Sequence, residues 1–199
     1  FPYTTLFRSE EIGKLIGAAR SKLQPGAPQA LHLQDFLVAQ GAWSQYLEVG
    51  IGPDAEIFTK AQPLSAVGCG ADAGLHPDSR WNNPEPEVAL AIASDQRIVG
   101  ATLANDVNLR DFEGRSALLL GKAKDNNASC AVGPFLRLFD DTFGLDDVRR
   151  TTVTLEVTGT DGFRLEGTSP LAEISRDPEE LAEALMGRTH NYPDGALLL

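Results

Sequence analysis

The stretch that decides the fold runs Glu85-Pro86-Glu87-Val88-Ala89-Leu90-Ala91-Ile92-Ala93-Ser94-Asp95-Gln96-Arg97-Ile98-Val99-Gly100-Ala101-Thr102-Leu103-Ala104-Asn105-Asp106. Two apolar, strand-favouring runs, Glu87 to Ser94 and Arg97 to Asn105, flank the polar pair Asp95-Gln96, which signals a hairpin. On an extended strand residues i and i+2 share a face, so Glu85 and Glu87 project together. Pro86 between them lacks an N–H donor, which suits an edge or a bulge. An isolated Glu-x-Glu is most often a solvated pair. Asp106 changes that reading. It follows the apolar run Ile98 to Ala104, and hairpin pairing returns it to the level of the two glutamates. A charge at the end of a buried strand needs a partner. Carboxylates forced together take up a proton unless a cation lies between them. Three carboxylates with no Cys or His nearby fit Mg²⁺ or Mn²⁺ rather than zinc.

Outward from this hairpin the signals are local. Glu10 to Leu23 has helical spacing and ends at Pro25-Gly26; Ala27 to Gly41 reads as a second helix. Gly50 to Asp54 is a loop, which places a boundary near residue 50. Glu56 to Lys60 reads as a short strand or extended segment, and Gln62 to Asn83 as one long loop of the kind that usually carries function. Asp111 to Leu120 is a candidate short helix capped by its aspartate. Phe135 to Phe139 is extended. Thr151 to Thr158 and Phe163 to Gly167 form a second hairpin around Gly159-Thr160-Asp161-Gly162. Asp177, Pro178 and Glu180 are a strong helix start for Asp177 to Met186. The reading is α+β, mainly β with short helices.

The chain has 199 residues, 42% of them hydrophobic, with a formal net charge of −11. One globular domain with a real core fits this length. The acidic surface repels phosphate backbones and argues against nucleic acid. No apolar run is long enough to span a membrane. The two cysteines, Cys69 and Cys130, lack a redox spacing, so a reducing cytoplasm is the default. Phe1 to Ser9 resembles an in-frame translation of a sequencing-library adapter and is set aside. Ala196 to Leu199 is an apolar run read as a strand without its partners, so truncation is expected at both ends. Residues 10–199 alone are then expected to aggregate and be inactive.

Glu85-Pro86-Glu87, Asn105-Asp106-Val107 with Arg110-Asp111, and Lys124 ahead of Gly133-Pro134 together resemble the fumarylacetoacetate hydrolase superfamily. The resemblance covers roughly Glu56 to Leu199. It implies a mixed β-sandwich roll with short peripheral helices over residues 51–199, and makes residues 10–50 a helical remnant of an N-terminal region. It implies that Glu85, Glu87 and Asp106 bind the divalent metal and that Lys124 binds or polarises substrate. Many members carry Lys-Ser-Phe-Asp-Thr where this chain has Lys124-Asp125-Asn126-Asn127-Ala128-Ser129-Cys130. With Trp81-Asn82-Asn83 and Asp111 to Ser116, this is closer to the sugar-acid branch, the 2-keto-3-deoxy-pentonate dehydratases of pentose catabolism.

The chemistry fits on its own terms. A 2-keto acid chelates Mg²⁺, which acts as a Lewis acid and stabilises the enolate formed when a C3 proton leaves. Loss of the C4 hydroxyl then gives, after ketonisation, 2,5-dioxopentanoate. Glu56 sits where dehydratase-like members place an acidic base. Lys60, Arg110, Asn126, Asn127 and Ser129 are candidate substrate contacts, and His76 is the histidine best placed to reach substrate. A homo-oligomer is expected for the full-length form. The alternative is a C–C hydrolase of an acylpyruvate or fumarylacetoacetate-like diketo acid. That reaction needs a base-activated water, typically from a His–Glu pair, and no His lies close in sequence to Glu56.

Overall fold

A computed structural model describes residues 23–187 and 189–199. The expected helix Glu10 to Leu23 and the adapter-like Phe1 to Ser9 fall essentially outside the described residues. The chain divides into two compact units, one from residues up to Ile57 together with Glu173–Leu181, the other from Phe58–Ala172 and Ala182–Leu199.

In the first unit, helix α1 (Pro28–Ala39) starts with a proline in its first turn, where the missing N–H does no harm. A second helix, α2 (Gln45–Ile51), lies where the sequence showed mainly Gly50 and Pro53. Ser44 caps it by accepting the Leu47 N–H at 3.3 Å. Gln34 and Trp43 both donate to Glu48 at 2.9 Å. Leu37, Ala30 and Ile51 are the buried apolar residues here among the described residues. The buried Arg176 gathers Gly52 O at 2.7 Å, Asp54 O at 2.9 Å and Glu180 at 2.8 Å. Helix α6 (Pro178–Leu185) begins in this unit, and Asp177 accepts the Glu179 N–H at 2.9 Å as its start signal implies.

The second unit is mixed α and β, a curled sheet with short helices. Its strands are β1 (Val67–Gly68), β2 (Asn82–Asn83), β3 (Pro86–Ile92), β4 (Ile98–Asp106), β5 (Asn108–Leu109), β6 (Cys130–Val132), β7 (Arg137–Leu138), β8 (Thr152–Thr158), β9 (Arg164–Pro170) and β10 (Ala196–Leu198). The main sheet has the order β1-β6-β4-β3-β10, and β7 also pairs with β4. Strand β4 is its hub. One edge pairs with β3, Pro86 opposite Asn105, and the other takes β7 at Gly100–Ala101 and β6 at Ala104–Asp106. Ala89, Leu90, Ala91 and Ile92 are buried in succession, so both faces of β3 are covered there.

Four local expectations are corrected. The first hairpin turns through Ser94-Asp95-Gln96, with Ala93 N–H bonded to Arg97 O and Gln96 at φ 71°, rather than through Asp95-Gln96 alone. Glu56 to Lys60 has no regular structure. Asp111 to Leu120 is two pieces, α3 (Arg110–Glu113) and a turn leading into α4 (Leu120–Lys124), because Gly114-Arg115-Ser116 breaks the helix. Asp111 caps nothing; it accepts from Ser79 Oγ and from the Arg80 N–H, both at 2.8 Å. Ala196–Leu198 is not unpaired, since it adds to β3 antiparallel, Leu198 opposite Leu90. The β8–β9 hairpin follows the sequence closely, and one more helix, α5 (Leu145–Arg149), was not anticipated.

Candidate metal centre

Strand β10 reaches only Leu90–Ile92 of β3. At Pro86 the strand is therefore paired on the β4 side alone among the described residues, so its missing donor leaves no gap in a ladder. The Asp106 N–H donates to Glu85 O at 2.9 Å, and the Glu85 N–H donates to Asn105 Oδ1 at 3.0 Å. These bonds fix the end of the hairpin. Glu85, Glu87 and Asp106 there each offer a carboxylate oxygen within 4.8 Å of the others.

The electrostatics follow from crowding. Burial pushes the Glu87 carboxyl up, and the Asp106 and Glu85 charges add to it, giving a pKa of about 7. Burial acts on Glu85 in the same sense. Its hydrogen bonds from Lys124, Asn108 and Asn83 outweigh that and hold it below the ordinary value. Lys124 Nζ donates to Asp106 Oδ2 at 2.6 Å and to Glu85 Oε2 at 2.5 Å. Although burial alone would lower its pKa, these two carboxylates raise it. The ammonium also stands 5.6 Å from the centre of the Phe58 ring. A cation already sits between two of the three carboxylates. Among the described residues the buried Asp106 Oδ1 has no hydrogen bond of good geometry, only the Lys60 ammonium at 3.1 Å. Three hard oxygens, one with spare capacity and one made a weaker acid by burial and by its neighbours' charges, suit Mg²⁺ or Mn²⁺.

Lys60 is held from several sides. Its Nζ donates to Val107 O at 3.1 Å, to Ser129 Oγ at 2.9 Å and to Lys124 O. Burial lowers its pKa, against the pull of Asp106. Ser129 is buried, and its hydroxyl lies 2.8 Å from both Lys124 O and Asn126 O. Asn126 Nδ2 closes the end of α4 on Lys122 O at 3.0 Å, while Asn127 is exposed. Arg110 lies 3.8 Å from Glu85 and forms a close ion pair with Glu113. The triad, Lys60, Lys124, Arg110 and Ser129 thus come together. Glu56 is exposed and belongs to the first unit. His76 packs edge-on against Phe112 at 5.2 Å and accepts the Asp78 N–H at 3.2 Å. Cys130 is buried opposite Asp106, a packed thiol whose pKa burial raises.

Sequence reading missed Asn108 and Glu113. Asn108 is fully buried and donates to Glu85 Oε1 and Glu113 Oε2, both at 3.1 Å. Among the described residues its Oδ1 has no partner, an arrangement that costs about 1–3 kcal/mol. The available signal was its i+2 spacing from Asp106, which shares a face on an extended segment.

The chain is similar in sequence and in fold to 2-keto-3-deoxy-pentonate dehydratases. The chain is 34% identical over 146 residues to the 2-dehydro-3-deoxy-D-arabinonate dehydratase of Saccharolobus solfataricus, covering 72% of this chain and 47% of that protein. It is 29% identical over 154 residues to the probable 2-keto-3-deoxyxylonate dehydratase of Haloferax volcanii, covering 77% and 52%. A solved structure of 2-keto-3-deoxy-D-arabinonate dehydratase complexed with magnesium and 2,5-dioxopentanoate matches at a TM-score of 0.69 and 32% identity, covering 77% and 53%. The chain spans about half the length of the relatives it matches. No protein-family model matches it. Among the described residues no helix is long and apolar enough to cross a membrane.

Proposed function

We propose that this chain carries the metal-binding and substrate-anchoring part of a magnesium-dependent dehydratase that converts a 2-keto-3-deoxypentonate to 2,5-dioxopentanoate and water. The observation that carries the reading is the Glu85–Glu87–Asp106 cluster with the Lys124 ammonium against it, in a chain similar to dehydratases of such substrates. Glu85, Glu87 and Asp106 would hold Mg²⁺ (or Mn²⁺). The ion would supply Lewis acidity at the keto oxygen of the substrate.

The chain's own residues take the remaining roles. Lys124 exchanges its carboxylate partners for the substrate carboxylate, a swap of one anion for another that keeps its charge neutralised. Lys60 and Ser129 fix the backbone around Lys124 through its carbonyl. Arg110, Asn126 and Asn127 are assigned to the hydroxyl-bearing end of the sugar acid. Glu56 is assigned as the base that takes the C3 proton, the hydroxyl on C4 leaving as water after protonation. The reading also takes the protein as a cytoplasmic homo-oligomer, supported by its resemblance and by two free thiols, Cys69 and Cys130.

The test is product analysis with the protein that carries this sequence, given 2-keto-3-deoxy-D-arabinonate and Mg²⁺. The expected result is 2,5-dioxopentanoate, lost in chelator and in Asp106→Asn. Pyruvate released from an acylpyruvate, with no dehydration, would transfer the assignment to a C–C hydrolase.

A further inference from the structure

Behind Glu85 lies a two-stranded ribbon, β2 against β5, with Asn83 opposite Asn108. Asn108 is fully buried, and both of its known acceptors are carboxylates, Glu85 Oε1 and Glu113 Oε2, each at 3.1 Å. A primary amide has two N–H donors, and an ionised carboxylate only accepts. The orientation of the amide is therefore set by chemistry, because turning it over would aim its oxygen at two carboxylates. The remaining Oδ1 is buried without a partner among the described residues.

We propose that Asn108 is a positioning residue for the metal site, one that holds Glu85 by Oε1 so that Oε2 faces Lys124 and Asp106. The inference rests on the reading of Glu85 as a metal ligand. Glu85 Oε2 is the oxygen that meets Lys124, while Oε1 takes the amides of Asn108 and, at 3.3 Å, Asn83. Glu113 anchors the other N–H of Asn108 and is itself paired with Arg110. For folding the amide cuts both ways: it carries an orphaned acceptor, and it gives a donor to each of two carboxylates. What the amide contributes, and leucine cannot, is a fixed carboxylate. Partners of this kind behind a ligand commonly set metal affinity.

The experiment measures Mg²⁺ affinity by calorimetry, and thermal stability in chelator, on the full chain. In Asn108→Leu the melting temperature in chelator should fall only slightly, the loss of donors to Glu85 and Glu113 being partly offset by removal of the orphaned oxygen, while the Mg²⁺ dissociation constant rises roughly 10–100-fold. Asn108→Asp should weaken Mg²⁺ binding through its effect on Glu85, with the shape of the site kept. Glu113→Ala cuts the outer anchor at a less buried place and should weaken Mg²⁺ binding several-fold, which covers the case in which Asn108→Leu does not fold. Unchanged affinity in the folded variants would overturn the proposal. So would a lower melting temperature with affinity intact, the mark of a structural amide. Mg²⁺ binding by the wild type without dehydration would remove the substrate assignment and leave Asn108 to be judged by affinity. A wild type with no Mg²⁺ affinity overturns both.

Discussion

At the scale of single residues the protein keeps three carboxylates close by spreading their cost unequally. Glu85 is pulled down by an ammonium and two amides, whereas Glu87 is pushed up to about 7 from an ordinary 4.5. The folded chain therefore holds a proton on Glu87 between about pH 4.5 and 7 that the unfolded chain has lost. By linkage, the metal-free protein loses stability as pH rises through that window. Mg²⁺ competes for the deprotonated form, so its affinity should climb from pH 5 to about pH 7 and then level off. Melting curves with and without Mg²⁺ at four pH values check this; a Mg²⁺-induced shift that ignores pH would remove Glu87 from the site. Glu87→Ala should abolish the shift with the fold intact. Lys124 is the counterpart. Lys124→Met removes the cation that bridges Glu85 and Asp106 and leaves only Lys60 beside Asp106 and Arg110 at 3.8 Å from Glu85; it should destabilise the metal-free chain by about 3 kcal/mol. Saturating Mg²⁺ should recover much of that loss in a chemical denaturation series.

At the scale of elements, the two hairpins use one turn with different residues. In β8–β9 the left-handed position is Gly162, at φ 88°; in β3–β4 it is Gln96, at φ 71°, with an exposed side chain. A side chain in that conformation costs about 1 kcal/mol, and glycine gives part of it back as unfolded-state entropy. Gln96→Gly should therefore stabilise the chain by about 0.5–1 kcal/mol, seen as a higher urea midpoint at constant slope. Gly74 is the opposite case. A Cβ there would lie 1.7 Å from Asn127 O, and its N–H donates to Ala128 O at 2.9 Å. Gly74→Ala must push the 126–128 loop away from the segment that orients Ser129 and Lys60. A loss of about 1–3 kcal/mol is expected, together with weaker Mg²⁺ binding. A stable variant with normal affinity would show that the loop does not position the site.

At the scale of the whole molecule, each unit is assembled from segments far apart in the chain. The first is closed by Arg176, whose guanidinium binds the carbonyls of Gly52 and Asp54, more than a hundred residues away in sequence. Arg176→Met keeps the bulk and removes the donors. It should cost about 2 kcal/mol and speed amide exchange in residues 45–57. Exchange at wild-type rates there would mean that the guanidinium is dispensable to this unit. The second unit is organised by β4, which brings Asp106 beside Glu85 on one edge and Cys130 on the other.

The sequence by itself determined what is local and periodic. Alternation and apolar runs gave the β3–β4 and β8–β9 hairpins, apolar residues gave α1, and helix-start chemistry gave α6. The Glu-Pro-Glu spacing with Asp106 one hairpin away placed the carboxylate cluster, because pairing two strands through a short turn leaves little freedom of register. Only the tertiary structure decided what depends on contacts between distant segments. It paired the apolar run Ala196–Leu198 with β3, and it recruited Asp111 to Ser79 and Arg80 in place of a helix cap. It tied Lys60 to the Lys124 and Val107 carbonyls, and placed Asn108 behind Glu85. These residues carry no periodic signal. Their side chains are ordinary polar groups whose partners are fixed by where remote backbone lies, and short strands such as β2 and β5 leave too few residues to announce themselves.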